Sequence, residues 1–205
     1  MIEKVGIMGG TFNPIHYGHL LAAEECRRQL LLDRVVFVPT GKPPHKNSSV
    51  APTEDRYAMT LLATAEVGEF SVSRVEVERP YPSHTVDTLL EFQEHSPAKS
   101  EFFFITGLDA LLEIGTWKDF ARLPSLCTLV STTRPGYSAS GVDSLPDEIK
   151  KVIKLLEIPQ FAISSTEIRS RVREGKGIRF LVPHLVEKYI EHCGLYRTQE
   201  EAPRN

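Results

Sequence analysis

Two histidines three positions apart, His16 and His19, follow a pair of glycines in the segment GGTFNPIHYGH. The residues before it, Lys4–Met8, predict a first strand, and the segment then opens a helix. Gly9 and Gly10 allow a sharp turn and let a ligand approach the backbone closely. The free N–H groups and the positive dipole end of a helix N-terminus favour a phosphate. Both histidines could therefore donate hydrogen bonds to one anion.

Other interpretations of this segment exist. The sequence contains neither the Walker A pattern GxxxxGK[ST] nor GxGxxG at this position. Each histidine taken alone is typical of a capping or surface residue. A metal site is a second alternative, but HxxH without a nearby Cys or carboxylate gives it little support, so we expect no protein-held metal.

A second polar segment, ISSTEIRSR, lies near the C-terminus. Ser165 and Thr166 are good N-cap residues, and Arg169 follows about one helical turn later. Taken alone, the segment is best interpreted as an ordinary capped helix with exposed arginines. Only its combination with the first segment suggests a phosphate site.

A rigid basic loop, KPPHK, follows the second predicted strand. Lys42, His45 and Lys46 could hold the phosphate of an acceptor, because the two prolines lower the entropy cost of fixing them. A solvated surface loop is the common alternative.

Three further positions flank the predicted crevice. Thr85 starts a helix, where its hydroxyl and the first amides could meet an incoming group, or it could be a plain cap. Asp109 follows the fourth strand and could bind ribose hydroxyls. Trp117, the only tryptophan, is either a core residue or a ring that stacks on an aromatic ligand.

The order of predicted elements indicates an α/β fold. Strands are predicted at Lys4–Met8, Arg34–Val38, Ser71–Glu78, Glu101–Thr106 and Leu126–Ser131. Helices are predicted at His19–Leu32, at Glu54–Val67 with Thr53 as N-cap, at Thr85–His95, at Ser165–Arg173 and at Val182–His192. This alternation predicts a Rossmann-like, doubly wound parallel sheet with helices on both faces. Ligands bind such a sheet beyond the carboxyl ends of its strands, where the strand order reverses.

Composition predicts a cytoplasmic protein with one domain over residues 1–197, including a small helical extension from about 165, and a polar tail over 198–205. The net charge of −3 gives no general attraction to nucleic acid. Three cysteines without CxxC indicate neither a disulfide framework nor a zinc ribbon. We find no signal peptide, and no apolar stretch approaches the roughly 20 residues of a membrane-spanning helix.

The segment GGTFNPIHYGH resembles the GxFxPxHxGH signature of the nucleotidylyltransferase superfamily, and ISSTEIR resembles its ISSTxIR element. KPPHK, TVDTL, GLDAL followed by TWK, and an Arg-Pro-Gly at Arg134 are similar to bacterial nicotinate-nucleotide adenylyltransferases. The resemblance covers nearly the entire chain. His84 departs from it, since the family usually has Tyr there, and we expect only a local packing effect.

The resemblance implies that His16, His19 and Arg169 are catalytic and stabilise charge on phosphates. For ATP it implies contacts from Gly9, Gly10, Thr11, Phe12, His16, His19, Gly107, Asp109, Arg134, Ser165, Thr166 and Arg169. For the acceptor it implies contacts from Asn13, Lys42, His45, Lys46, Thr85, Asp109, Trp117 and Arg134.

The reaction that this family resemblance implies joins ATP and nicotinate mononucleotide to give deamido-NAD and pyrophosphate, with Mg²⁺ carried on the ATP phosphates. Nicotinamide mononucleotide or phosphopantetheine is the alternative acceptor, and a non-catalytic ATP sensor is a remote alternative. The sequence predicts neither a nucleic-acid nor a membrane partner. It leaves the oligomeric state open, a homo-oligomer included.

Overall fold

Parallel strands form the centre of the molecule. The computed structural model describes residues 2–42, 50–96, 99–133, 141–159 and 161–197. The strands in this part of the chain are β1 (Glu3–Gly10), β2 (Arg34–Pro39), β3 (Phe70–Val72), β4 (Ser100–Gly107), β5 (Thr128–Thr133) and β6 (Ile153–Glu157). They form one sheet in the order β3-β2-β1-β4-β5-β6, and all neighbouring pairs are parallel. The strand order therefore reverses between β1 and β4, which is the expected position of a ligand crevice.

Helices cover both faces of this sheet. They are α1 (Tyr17–Leu30), α2 (Thr53–Thr64), α3 (Thr85–His95), α4 (Leu108–Leu112), α5 (Leu123–Leu126), α6 (Asp147–Lys150), α7 (Ser165–Arg173) and α8 (His184–His192). Single turns of 3-10 helix at Ile114–Thr116, Phe120–Arg122 and Val142–Ser144 join some of them. No helix within the described ranges is long and apolar enough to cross a membrane.

Alternating side chains of β1 build two separate cores. Val5 and Ile7 are fully buried on one face, in a cluster with residues from α3, α4 and α5. Met8 faces the other way, into a cluster that contains Ile168 of α7 and Val186 of α8. The C-terminal helices therefore pack on the α1 face of the sheet. The predicted doubly wound α/β fold is confirmed by this arrangement.

The third strand is shorter than its sequence pattern predicts. The alternation over Ser71–Glu78 predicts eight residues of strand, but the ladder with β2 ends at Val72. The Ser73 hydroxyl accepts a hydrogen bond from the backbone N–H of Val75, and the N–H of Glu78 donates to the carbonyl of Arg74. These local bonds turn the chain away from the sheet, because a side-chain hydroxyl competes with ladder pairing.

Two further element predictions need correction. The edge strand β6 was missed because its short pattern, IKLLE, has little apolar periodicity. The N-caps were also misplaced by one residue or more. Thr53 is the first residue of α2, after Pro52, and α7 is capped by Ser164, whose hydroxyl accepts from the N–H of Glu167.

Candidate active site

The glycines that end β1 make room for aromatic rings. A Cβ atom on Gly9 would lie 3.0 Å from the ring of Phe104, and one on Gly10 would lie 3.0 Å from the ring of Phe12. Phe12 is buried and has a left-handed backbone with φ of 46°. The loop after β1 therefore packs closely against the ring of Phe12, and the residues that follow lead into α1.

His16 and His19 stack on each other at the N-terminus of α1. Their ring centroids are 3.7 Å apart with planes 30° apart, and the edge of Phe12 packs against His19 at 5.2 Å. His16 is the N-cap residue, and its backbone N–H donates to Nδ1 of His19 over 3.2 Å. Because Nδ1 of His19 accepts this bond, a neutral His19 ring carries its proton on Nε2.

Both histidines are held in the neutral form. Burial lowers the pKa of His16 to about 4. Burial, and to a smaller extent the neighbouring His16, lowers the pKa of His19 to about 3. Nδ1 of His16 is buried and has no hydrogen-bond partner among the described residues. At neutral pH the two rings therefore offer N–H dipoles rather than positive charges.

The second predicted segment docks directly on the first. The Ser165 hydroxyl donates to the carbonyl of Pro14 over 2.8 Å, and Nη1 of Arg169 donates to the carbonyl of Asn13 over 2.8 Å. Nη2 of Arg169 reaches the Thr166 hydroxyl at 3.3 Å. Within the described part of the chain, no carboxylate pairs with this guanidinium, so its positive charge is available to an anion. We call His16, His19 and Arg169 the histidine–arginine cluster.

A cavity of about 600 Å³ opens on the other face of the sheet, beyond the ends of β1 and β4. Its lining includes Gly9, Gly10, Thr11, Thr40, Glu76, Ser83, His84, Thr85, Phe104, Thr106, Ala110, Glu113, Thr116, Trp117 and Lys118. The Trp117 ring packs edge-on against Phe104, with centroids 6.0 Å apart. Trp117 thus belongs both to the core and to the cavity wall. Thr85 is the first residue of α3, and His84 is its N-cap.

Many of the predicted site residues fall into two groups near Gly9–Thr11. Gly9, Gly10 and Thr11 line the cavity that also includes Thr85 and Trp117. The next residue, Phe12, packs against His19 of the histidine–arginine cluster. A phosphate chain that crosses Gly10 and Thr11 would therefore connect the two groups. This arrangement suits a reaction that joins two phosphate-bearing molecules end to end.

Comparisons with known proteins identify the family of this chain. The model of the cytidylyltransferase-like family matches residues 7–171. A probable nicotinate-nucleotide adenylyltransferase of Thermus thermophilus is 51% identical over 194 residues, covering 95% of this chain and 100% of that protein. One of Moorella thermoacetica is 50% identical over 199 residues, covering 95% and 92%. The chain belongs to the nicotinate-nucleotide adenylyltransferases.

Solved structures share the fold at lower identity. The nicotinic acid mononucleotide adenylyltransferase of Plasmodium falciparum complexed with NaAD gives a TM-score of 0.76 at 20% identity, covering 95% of this chain and 97% of that one. The same protein complexed with APC gives 0.75 at 20% identity, with the same shares of the two chains covered. The adenylyltransferase fold therefore extends over nearly all of this chain.

Some predicted ligands lie outside both groups. Asp109 is exposed on the first turn of α4, after Gly107. Nζ of Lys42 donates to the carbonyl of Pro80 over 2.7 Å. For this adenylyltransferase their contacts with substrates stay predictions. His45, Lys46 and Arg134 lie outside the described residues.

Asn13, predicted to bind the acceptor, is engaged within the protein. It is 5% exposed, and its Oδ1 accepts hydrogen bonds from the backbone N–H of Ala51 and from the hydroxyl of Tyr196, at 3.0 and 2.9 Å. Its carbonyl accepts from Arg169. Asn13 therefore joins three segments that are distant in sequence. Any contact that it makes with substrate comes in addition to these bonds.

Sequence reasoning missed Arg56, the largest fully buried side chain among the described residues. Its guanidinium donates to the carbonyls of Thr11, Gly41 and Ala51 at 2.8 to 3.0 Å, and to the Thr53 hydroxyl at 3.1 Å. Burial lowers its pKa. Arg56 fixes the loop after β1 against the end of β2. A helical arginine followed by apolar residues carries no sequence signal for such a role.

The cavity wall contains a second unpredicted feature, the buried Glu76. Its Oε1 accepts from the Thr88 hydroxyl over 2.7 Å, and Thr88 in turn accepts from Arg79 over 3.0 Å. Burial raises the pKa of Glu76, against hydrogen bonding from Thr88. Arg79 is itself 2% exposed and pairs with Glu91. This chain of bonds ties the turn after β3 to α3 beneath the cavity.

Proposed function

We propose that this protein transfers the adenylyl group of ATP to nicotinate mononucleotide, giving deamido-NAD and pyrophosphate, as a step in NAD biosynthesis. One observation carries this proposal. Gly9, Gly10 and Thr11 line the cavity, and the next residue, Phe12, packs against His19 of the histidine–arginine cluster at 5.2 Å. ATP bound at the cluster and a pyridine mononucleotide bound in the cavity would bring their phosphates together there.

The cluster would act on the phosphates of ATP. His19 carries its proton on Nε2 and can donate a hydrogen bond without carrying charge. Arg169 supplies the positive charge, since it has no carboxylate partner among the described residues. Preorganised donors of this kind stabilise charge that develops on a departing pyrophosphate. The acceptor phosphate is already an anion at neutral pH, so the reaction needs alignment rather than a strong base.

Mg²⁺ would enter as part of the ATP substrate. It prefers phosphate oxygens and keeps several waters, and so it needs few protein ligands. The described residues contain no group of three or more His, Cys, Asp or Glu side chains that could hold a metal ion. The ion would neutralise phosphate charge, and the chain's own donors would orient the phosphates.

The cavity would hold the pyridine ring. Trp117 offers an aromatic face or edge for stacking, and the N-terminus of α3 at Thr85 offers free backbone amides. Such amides favour the carboxylate of nicotinate over the neutral amide of nicotinamide. Acceptor choice would therefore be made by α3 and Trp117. We also expect the enzyme to work in the cytoplasm.

Pyrophosphate release tests this proposal. The purified chain is supplied with ATP and Mg²⁺, and nicotinate mononucleotide, nicotinamide mononucleotide and phosphopantetheine are offered in parallel. We expect the highest kcat/KM with nicotinate mononucleotide. Preference for another acceptor would refute the assigned substrate, and ATP binding without release in any reaction would favour an ATP sensor.

A further inference from the structure

The C-terminal turn reaches the loop after β1 from outside the region that the family model matches. That match ends at residue 171, whereas Tyr196 follows α8. The Tyr196 hydroxyl donates to Oδ1 of Asn13 over 2.9 Å. Burial raises the pKa of Tyr196, which keeps the hydroxyl protonated and able to donate. The backbone of Tyr196 is left-handed, with φ of 66°, a conformation that is unfavourable for a residue other than glycine. The turn adopts it where the hydroxyl reaches Asn13.

Asn13 is where this contact could affect chemistry. Its carbonyl accepts from Nη1 of Arg169, and the next carbonyl, that of Pro14, accepts from Ser165. His16 follows within three residues. The side chain of Asn13 is fixed at Oδ1 by two donors, Tyr196 and Ala51. A change at Oδ1 would therefore alter the peptide that holds Arg169.

We propose that Tyr196 is a positioning residue for adenylyl transfer, acting through Asn13 on the placement of Arg169. This inference rests on the proposed function. Tyr196 does not contact the reacting atoms in this account. Tyr196 restricts the motion of the loop whose carbonyl binds the Arg169 guanidinium. Arg169 is therefore correctly placed when charge develops on the phosphates.

Tyr189 provides a matched control in the same region. It lies in α8, and its hydroxyl donates to Oδ1 of Asp55 in α2, also over 2.9 Å. Each of the changes Tyr196→Phe and Tyr189→Phe removes one hydroxyl group: that of Tyr196 bonds to the amide oxygen of Asn13, and that of Tyr189 bonds to the carboxylate of Asp55 and to Cys193. A purely structural role predicts the same result for both variants. A positioning role predicts that kcat falls in Tyr196→Phe and does not fall in Tyr189→Phe.

The experiment measures kcat, both KM values and the melting temperature of the full chain and of the two variants. We expect similar small losses of melting temperature in both variants. For Tyr196→Phe we expect kcat to fall about fivefold to tenfold with both KM values unchanged, because one lost hydrogen bond is expressed in the transition state. Tyr189→Phe should keep the wild-type kcat. A wild-type kcat in Tyr196→Phe, or an equal loss of kcat in both variants, would overturn the inference.

A double mutant tests the route through Asn13. Asn13→Ala should lower kcat, and adding Tyr196→Phe should lower it no further, since the two residues act through one contact. Multiplicative losses would show that Tyr196 acts by another route. An inactive wild-type chain would instead refute the proposed transferase function, so the two failures are distinguishable.

Discussion

The histidine–arginine cluster and the cavity lie at the same edge of the sheet but are built differently. The cluster is held by bonds from motif residues to motif backbone, such as Ser165 to Pro14 and Arg169 to Asn13. The cavity is walled by single residues from several elements, including Thr40, Glu76, Thr85 and Trp117. The cluster therefore comes from two short motifs, distant in sequence, that bond directly to each other, whereas the cavity depends on how several segments without a shared motif pack.

This difference separates the two tasks of the proposed reaction. The histidine–arginine cluster is fixed by bonds between its own two motifs. Substitutions in the cavity wall can therefore change the acceptor that is bound without altering the cluster. The cluster also keeps neutral donors beside Arg169, a cation without a carboxylate partner in the described ranges. The cavity wall carries a buried carboxylate, Glu76, whose pKa burial raises. Changes in the cluster should alter turnover, and changes in the cavity should alter acceptor binding.

The largest effect is expected for His19→Ala. Removal of one preorganised donor from a charge-stabilising site lowers kcat about 100-fold to 1,000-fold. Steady-state pyrophosphate release, with circular dichroism as the control for folding, measures this. A folded variant with unaltered turnover would remove His19 from the cluster's chemistry.

Arg56→Met should show how strongly one buried guanidinium stabilises the loop after β1. The change leaves the carbonyls of Thr11, Gly41 and Ala51 without this donor, and we expect the free energy of unfolding to fall by about 3 kcal/mol. Chemical denaturation measures it. The matched control is Arg74→Met, which removes a more exposed arginine that pairs with Glu54 and Glu78. Equal losses in the two variants would contradict the role given to Arg56.

Acidification should affect the two regions in opposite directions. Burial lowers the pKa of His16 from 6.5 to about 4, so the unfolded chain binds more protons between these values and stability falls as pH falls. The raised pKa of Glu76 has the opposite sign, since the folded chain binds the extra proton. We expect His16→Gln to reduce the loss of stability on going from pH 6.5 to 4 by roughly 2 kcal/mol. Glu76→Gln should increase that loss. The same pH profile in wild type and His16→Gln would contradict the burial of a neutral His16.

The smallest effect is expected for Trp117→Ala. Loss of aromatic stacking should raise the KM for nicotinate mononucleotide about tenfold and leave the KM for ATP unchanged. Trp117→Phe keeps an aromatic ring and should recover most of the affinity. A larger change in the KM for ATP than in the KM for nicotinate mononucleotide would contradict the assignment of Trp117 to the acceptor site.

The sequence predicted the fold and the two helices that carry the motif segments, because local patterns encode both. Apolar runs such as Arg34–Val38 and Glu101–Thr106 specify central parallel strands, and the two motif segments specify helix N-termini. The strand that sequence reasoning extended to Glu78 failed because the Ser73 hydroxyl diverts the backbone, which alternation does not reveal. The boundaries of the first and last helices, predicted at His19 and Val182, lie instead at Tyr17 and His184.

The rest of the site could not be predicted because tertiary contacts decide it. Arg56, Glu76 and Tyr196 stand in ordinary local patterns, and their importance comes from partners that are distant in the chain. Asn13 was predicted to bind the acceptor because it belongs to the first motif. The structure shows that its side chain already accepts two internal hydrogen bonds.

The separate roles of the two regions can be measured with the single tryptophan, Trp117, which lies in the cavity wall. Its fluorescence is followed while nicotinate mononucleotide, or ATP with Mg²⁺, is added separately to the wild-type chain. We expect a saturable change with nicotinate mononucleotide and no change with ATP. A saturable change with ATP alone, and none with nicotinate mononucleotide, would place the nucleotide in the cavity and contradict the assignment of the two regions.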